Sequence, residues 1–264
     1  MNKELNNSDG NIGSYDRQYF LEKESGRYDF RNKIINQRFK DILRLVALSS
    51  NDKVLDLGSG RGEMGDILQG SAGEIVLADY SDEALAIIRG HIVANERVRI
   101  EKINAKSIPY PDEYFDKVFF LEVIEHLYLP EAEDVLREIK RVLKNGGELI
   151  LSTGPNKYLS SPQYFIAQKV FNLKTEWGKY HLNEFSYFSL RKAVKKNFSD
   201  FKIYCYEDPG WFYSTIKSQN LPRLIKEVTR LLNKVYDLSL FRLLRTKLPL
   251  RKFFAHRFIL IAKK

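Results

Sequence analysis

The sequence predicts an α/β fold, a mostly parallel, doubly wound sheet covered by helices on both faces. Three observations carry this expectation. Five short apolar runs read as buried strands, helical segments alternate with them, and a glycine-rich turn stands where the first strand gives way to the first helix.

The five runs are VLDL (54–57), EIVLAD (74–79), VRIEKI (98–103), DKVFFLE (116–122) and ELILST (148–153). Between the second and third, Ser81 can cap a helix DEALAIIRGHI with acids in its first turn. Between the fourth and fifth, EAEDVLREIKRVLK reads as a helix stopped by Asn145-Gly146-Gly147. A helix over about 186–197, a strand around FKIYCY and a last strand HRFILIA follow, which makes seven strands.

A chain of 264 residues, 44% hydrophobic, can bury one sizeable core. The opening MNKELNNSDGNIGS is polar with no apolar leader core, and no stretch approaches the roughly 18 consecutive apolar residues of a spanning helix. A cytoplasmic protein is expected. One cysteine, Cys205, excludes an internal disulfide and a C-x-x-C metal cluster. The net charge of +9 is unevenly spread: residues 211–264 hold thirteen Lys and Arg against two acids (Glu227, Asp237), a net of +11 that leaves −2 for residues 1–210. A near-neutral body with a basic appendage is the reading, and a partner role for nucleic acid is not expected.

The turn VLDLGSGRGEMGDIL (54–68) spaces Gly58, Gly60 and Gly62 as G-x-G-x-G. In open α/β sheets the edge outside the carboxyl ends of the strands is where ligands bind, and glycines there let the backbone turn tightly and approach a ligand. A nicotinamide dinucleotide is disfavoured, because Glu63 occupies the position of that fingerprint's third glycine. Asp56 and Glu63 also bring negative charge to the helix start, where a pyrophosphate needs a positive field. A cationic or zwitterionic ligand suits the turn better. At the end of the second strand, Asp79 is placed to accept hydrogen bonds from ribose hydroxyls. Taken singly, the glycines could only shape a turn, Asp79 could cap a helix and Tyr80 could pack at a strand end.

As a set, these residues resemble the class I S-adenosylmethionine-dependent methyltransferases. VLDLGSGRG is similar to their first motif and VLADYS to the second with its ribose-binding acid. NAKSIPYPDEYFDKVFFLEVIEHL resembles the adenine-contacting loop and fourth strand, and LREIKRVLKNGGELILSTGPN the fifth-strand block. The resemblance covers roughly residues 50–200, with the motifs in family order. It implies a seven-stranded Rossmann-like sheet with the last strand antiparallel, and S-adenosylmethionine as cofactor. It further implies that Asp56, Gly58, Ser59 and Gly60 hold the methionine moiety, that Asp79 holds the ribose, that Tyr80 faces the adenine, that Asn104 and Ala105 meet its edge, and that Gly62 and Glu122 help line the cofactor site. Asn104 departs from the family's usual aspartate, although an amide oxygen still accepts from an exocyclic amine.

Immediately after the fourth strand comes EVIEHL. If a helix starts there, Glu122, Glu125 and His126 share one face. Such a face can bind Mg²⁺ or a transition metal, with His181 of KYHLNEFS as a further ligand. A similar E-x-x-E-H occurs in ubiquinone-pathway O-methyltransferases and in small-RNA 3′-end 2′-O-methyltransferases, where it holds a metal. In metal-free relatives the glutamate lines the cofactor site and the histidine faces substrate. His126 and His181 are the candidate catalytic bases, because imidazole titrates near neutrality.

The expected organisation is an N-terminal cap or lid (1–48), a methyltransferase core (49–210) with a substrate insertion at about 155–188, a basic helical insertion (211–254) and the final strand (255–264). The aromatic cluster of the substrate insertion (Tyr158, Tyr164, Phe165, Trp177, Tyr180) reads equally as a pocket or as that segment's own core. In the basic insertion, Leu224, Val228, Leu231, Leu232 and Val235 recur at helical spacing among Arg223, Lys226, Arg230 and Lys234. That stretch reads as a packed helix with a solvated basic face or as a peripheral membrane contact. The expected activity is methyl transfer from S-adenosylmethionine to a hydroxyl of a small molecule, with a phenolic, sugar, anionic or lipid-linked acceptor. The alternatives are an RNA 2′-O-methyltransferase, for which no RNA-binding module signature is present, and a non-catalytic cofactor-binding module.

Overall fold

The structure, a computed structural model, describes Phe20, residues 37–158, 182–206, Glu227 and residues 250–264. The segments 159–181 and 207–226 lie outside the described residues, as does 228–249, and with them go the structural outcomes for His181, for most of the aromatic insertion and for the basic helical insertion.

One seven-stranded sheet organises the chain, in the order β3-β2-β1-β4-β5-β7-β6. The strands are β1 (Lys53–Leu57), β2 (Glu74–Asp79), β3 (Val98–Lys102), β4 (Phe115–Leu121), β5 (Leu143–Thr153), β6 (Asp200–Tyr206) and β7 (Arg257–Lys263). The first five pair in parallel, and β7 inserts antiparallel between β5 and β6, as the resemblance implies. The chain builds outward from β1 to β3 and then crosses back to β4, so a topological switch point lies between β1 and β4.

Side chains that alternate along the strands feed two cores, one on each face. Leu55, Val76, Val118 and Phe120 join one core; Val54, Ile75, Leu77 and Phe119 join the other. The helices that cover the faces are α1 (Gln37–Leu43), α2 (Glu63–Leu68), α3 (Asp82–Arg89), α4 (Leu129–Val142), α5 (Tyr187–Lys195) and the short α6 (Arg251–Phe254). On α4 the buried residues Ala132, Val135, Leu136, Ile139 and Val142 recur at three- and four-residue intervals and form a single apolar stripe. Burial of each large aliphatic in that stripe stabilises the fold by about 2 kcal/mol. Phe20, in the segment read as a lid, is buried against Ala84 of α3.

Two boundaries differ from expectation. Helix α4 ends at Val142, and Asn145-Gly146-Gly147 lies within β5, which begins five residues before the predicted ELILST. Leu143 already pairs with Phe115, and the register then shifts between Phe115 and Lys117. Gly146 takes φ +79°, and a Cβ at Gly147 would lie 2.9–3.2 Å from three carbonyl oxygens, so the glycines make an irregularity inside a strand. Helix α3 stops at Arg89, short of the predicted His91-Ile92. Its predicted cap holds: the Ser81 hydroxyl accepts from the Ala84 N–H at 3.3 Å.

Candidate functional site

The glycine turn occupies the switch point at the carboxyl ends of β1 and β2. Ala78 O, near the end of β2, accepts from the N–H groups of Gly58 (2.7 Å) and Ser59 (2.9 Å), which draws the turn down onto the strand. The Ser59 hydroxyl lies against two carbonyls of the same structure, Asp56 O at 2.8 Å and Ala78 O at 3.1 Å. Gly58, Gly60 and Gly62 all have positive φ. Gly58 is also sterically obligatory, since a Cβ there would lie 2.4 Å from Cγ2 of Val123, the residue that begins the turn after β4.

Two carboxylates bracket this turn. Asp79 accepts from Gly60 N–H on Oδ2 and from Ser81 N–H on Oδ1, both at 2.9 Å, so the backbone fixes its orientation and ties turn to strand end. Asp56 is 2% exposed, and its Oδ2 is buried with no hydrogen-bond partner. Burial above all, then the negative charges of Asp79 and Glu63, pushes its carboxyl up to about 8. A buried acceptor with no donor is costly unless a ligand completes it, and an ammonium group is the donor that also returns the carboxyl to its charged form. S-adenosylmethionine carries such a group, so the site fits the cofactor.

At the rim, Tyr80 is 42% exposed, and Lys102 Nζ stands 5.7 Å from its ring centroid. Asn104 Oδ1 accepts from Lys106 N–H at 3.0 Å, which closes a small turn that exposes the Asn104 side chain beside Ala105. A carbonyl oxygen retains a second lone pair for a ligand. Arg141 of α4 anchors the loop that follows, donating to Ile108 O and Tyr110 O at 2.8 Å each.

The E-x-x-E-H stretch does not form the expected helix. Glu122 adopts φ +55°, and only a 3₁₀ turn over Ile124–His126 follows. The two glutamates therefore do not share one helical face. Glu122 accepts from the Ser152 hydroxyl at 2.8 Å and lies 3.3 Å from Arg257 Nε and 3.8 Å from an Arg38 nitrogen. Glu125 is buried and accepts from the Thr153 hydroxyl at 3.0 Å; burial, then the Glu122 charge, holds its carboxyl well above the usual range. His126 is half-buried at the end of this turn. Asn183 clamps the turn, its N–H donating to Glu125 O at 2.9 Å and its side-chain amide to Leu127 O. Among the described residues, no group of three His, Cys, Asp or Glu is arranged to hold a metal ion.

Sequence reasoning missed Arg38, Arg257 and Thr153. Each comes from an element remote in sequence, and only the insertion of β7 beside β5 brings Arg257 to the ligand edge. Cys205 is buried and unpaired, with its thiol pushed up by burial, away from the glycine turn on β6.

Residues 55–151 match the family model described as a methyltransferase domain. The ubiquinone/menaquinone biosynthesis C-methyltransferase UbiE of Shewanella sp. (strain W3-18-1) is 30% identical over 161 residues, which cover 56% of this chain and 61% of that protein. The chain thus spans about three fifths of the length of the curated relatives it matches. Among solved structures, a SAM-dependent methyltransferase from Archaeoglobus fulgidus superposes with a TM-score of 0.57 at 20% identity, covering 93% of this chain and 99% of that one. The [4+2]-cyclase SpnF superposes with a TM-score of 0.60, also at 20% identity, covering 96% of this chain and 94% of that one. These structural likenesses speak for the fold, and the sequence match, over residues 55–151, is to the methyltransferase domain family.

Proposed function

We propose that the chain transfers the methyl group of S-adenosylmethionine to a hydroxyl of a small molecule, with a phenolic, sugar or lipid-linked acceptor, in the cytoplasm. The observation that supports this most is Asp56, a buried carboxylate oxygen left without a donor beside a glycine turn. The cofactor supplies a sulfonium methyl that is already activated. The chain's part is to bind, orient and exclude water, which is worth several kcal/mol. Asp56 would receive the ammonium, the turn of Gly58, Ser59, Gly60 and Gly62 would hold the methionine moiety, Asp79 would receive the ribose hydroxyls, and Tyr80, Asn104 and Ala105 would hold the adenine.

The hydroxyl oxygen is the acceptor we propose, and His126 is the base that removes its proton, with His181 as a second candidate. A carbon acceptor is the second reading, favoured by the C-methyltransferase name of the Shewanella relative. The two readings share a requirement, because deprotonating a phenol or enol activates its oxygen and its neighbouring carbon alike. A Mg²⁺ or transition-metal site at Glu122, Glu125, His126 and His181 fits the described residues poorly, since Glu122 is engaged by Arg38 and Arg257 and Glu125 by Thr153.

Two outcomes test this reading. Replacing Asp79 with alanine should weaken S-adenosylhomocysteine binding roughly ten- to a hundredfold, through loss of charge-assisted bonds to the ribose; calorimetry that shows unchanged affinity would remove the assignment. Labelled methyl transfer into the metabolite and lipid fractions of a lysate should yield a methylated product whose carbon or oxygen linkage NMR reads directly. Turnover should resist chelator, and His126→Ala should slow it roughly 10²- to 10⁴-fold. Loss of turnover with chelator, at unchanged cofactor affinity, would instead restore the metal. Binding without any transfer would make the domain a non-catalytic module, since the same fold hosts more than one function.

A further inference from the structure

Of the exposed large hydrophobic side chains, three lie together, Tyr158 (46% exposed), Phe188 (45%) and Phe253 (38%), and Leu250 (38%) stands three residues before Phe253. Phe253 joins them, its ring centroid 5.5 Å from that of Tyr158 and 5.5 Å from that of Phe188. They arrive from three elements. Tyr158 follows β5, Phe188 opens α5 and Phe253 lies on α6 just before β7, so the cluster sits at the same edge of the sheet as the glycine turn. Clustered exposed aromatics are uncommon on a monomer and mark a contact surface.

The rim of this cluster is basic. The solvent face of α5 runs Phe188, Arg191, Lys192, Lys195 at helical spacing, with Lys196 just past its end paired to Glu133 of α4, while Leu190, Ala193 and Val194 are buried on the opposite side. Lys252 adds a further cation, with Nζ 4.9 Å from the Tyr187 ring centroid. Residues 187–202 contain five Lys and Arg against one acid, and residues 250–264 contain five against none. A shallow groove of about 240 Å³ between α5 and β6 is lined by Arg191, Lys195 and Lys202, with room for a phosphate-sized group.

We propose that this face docks on an anionic lipid surface, with the aromatic cluster entering the interfacial region and the cations of α5 meeting lipid phosphates. Aromatic side chains with Lys and Arg around them are the chemistry of peripheral membrane binding. Nucleic acid also recruits aromatics and cations, but it needs rings on which bases can stack. Here the rings pack on one another and leave no slot between them for a base. Docking at this edge brings the mouth of the site toward the bilayer, which suits an acceptor with a lipid tail. The surface argument does not depend on the methyltransferase reading.

Co-sedimentation of the full chain with vesicles tests it. Binding is expected to vesicles of phosphatidylcholine with about 30% phosphatidylglycerol and not to phosphatidylcholine alone, because each surface cation contributes roughly a fivefold factor only against anionic lipid. The triple variant Arg191→Gln, Lys192→Gln, Lys195→Gln should lose on the order of a hundredfold in vesicle affinity. Phe188→Ser with Phe253→Ser should weaken binding at constant charge. All substituted positions are exposed or half-buried, and unchanged S-adenosylhomocysteine affinity verifies the folded state of each variant. Undiminished vesicle binding by both variants would overturn the proposal and move the contact to the basic segment 211–249. Charge-insensitive binding, a stronger preference for an RNA oligonucleotide, or self-association in place of vesicle binding would overturn it too.

Discussion

Gly58→Val is expected to abolish S-adenosylhomocysteine binding and to lower the melting temperature markedly. Three effects act together. The residue sits at φ +78°, which a β-branched side chain tolerates only at a cost of about 1–3 kcal/mol. Its Cβ would also lie 2.4 Å from Val123 Cγ2, so either the turn or the start of the segment after β4 must move. Moving the turn breaks the bonds by which Ala78 O holds it, and the Asp56 carboxyl loses its alignment with any ligand. Calorimetry and a thermal melt give the two readouts. Normal binding together with a normal melt would mean that the turn has room the geometry denies it. Gly58→Ala, which keeps the strain and the close approach but adds less bulk, should fall between the two.

Cofactor affinity should climb as pH rises toward about 8, where the Asp56 carboxyl ionises, and fall again above it as the ligand's own α-ammonium loses its proton. The unliganded Asp56 carboxyl, raised to about 8 by burial and by Asp79 and Glu63, is neutral at pH 7, whereas an ammonium ligand binds its charged form. The gain is at most about tenfold per pH unit. Asp56→Asn should flatten the profile and weaken binding at pH 8. The same group fixes the sign of the stability change. Its folded value lies above that of the unfolded chain, so the unfolded state releases its proton first, and the free protein loses stability as pH rises from about 4 to about 8. Asp56→Asn should therefore melt higher than the parent at pH 8 without ligand. An affinity profile that is flat in the parent from pH 6 to 8 would show that Asp56 does not meet the ligand's charge.

Parts of this architecture are plain in the sequence for a simple reason. A strand buried on both faces must be apolar along its length, so β1, β2 and β4 stand out, and the glycines between β1 and α2 mark the ligand edge. Local rules fail where distant elements decide. Asn145-Gly146-Gly147 carries every sign of a helix stop, yet α4 has already ended, because Leu143 finds a partner in Phe115 across the sheet. Glu122 is the sharper case. Nothing in EVIEHL announces a glutamate at φ +55°, a conformation sustained here by Ser152, Arg38 and Arg257, which come from three other elements. The expected helical face of ligands depended on ordinary backbone at that one residue. The residues proposed for the cofactor, Glu122 aside, lie by contrast in the glycine turn at the end of β1 or just at the ends of β2 and β3, where sequence neighbours remain neighbours in space.

The position of β7 has a consequence for how the chain is made. β6 leaves the ribosome before β7, yet among the described residues its pairing partner is β7 alone, which lies between it and β5. The first five strands can assemble as soon as β5 is translated, while β6 must wait through more than forty further residues for the strand that attaches it. Long-range pairing of this kind is slow and leaves a strand edge open meanwhile. During that interval the exposed edge is the one from which Ser152 and Thr153 support the two glutamates, and Glu122 gains its Arg257 partner only when β7 arrives.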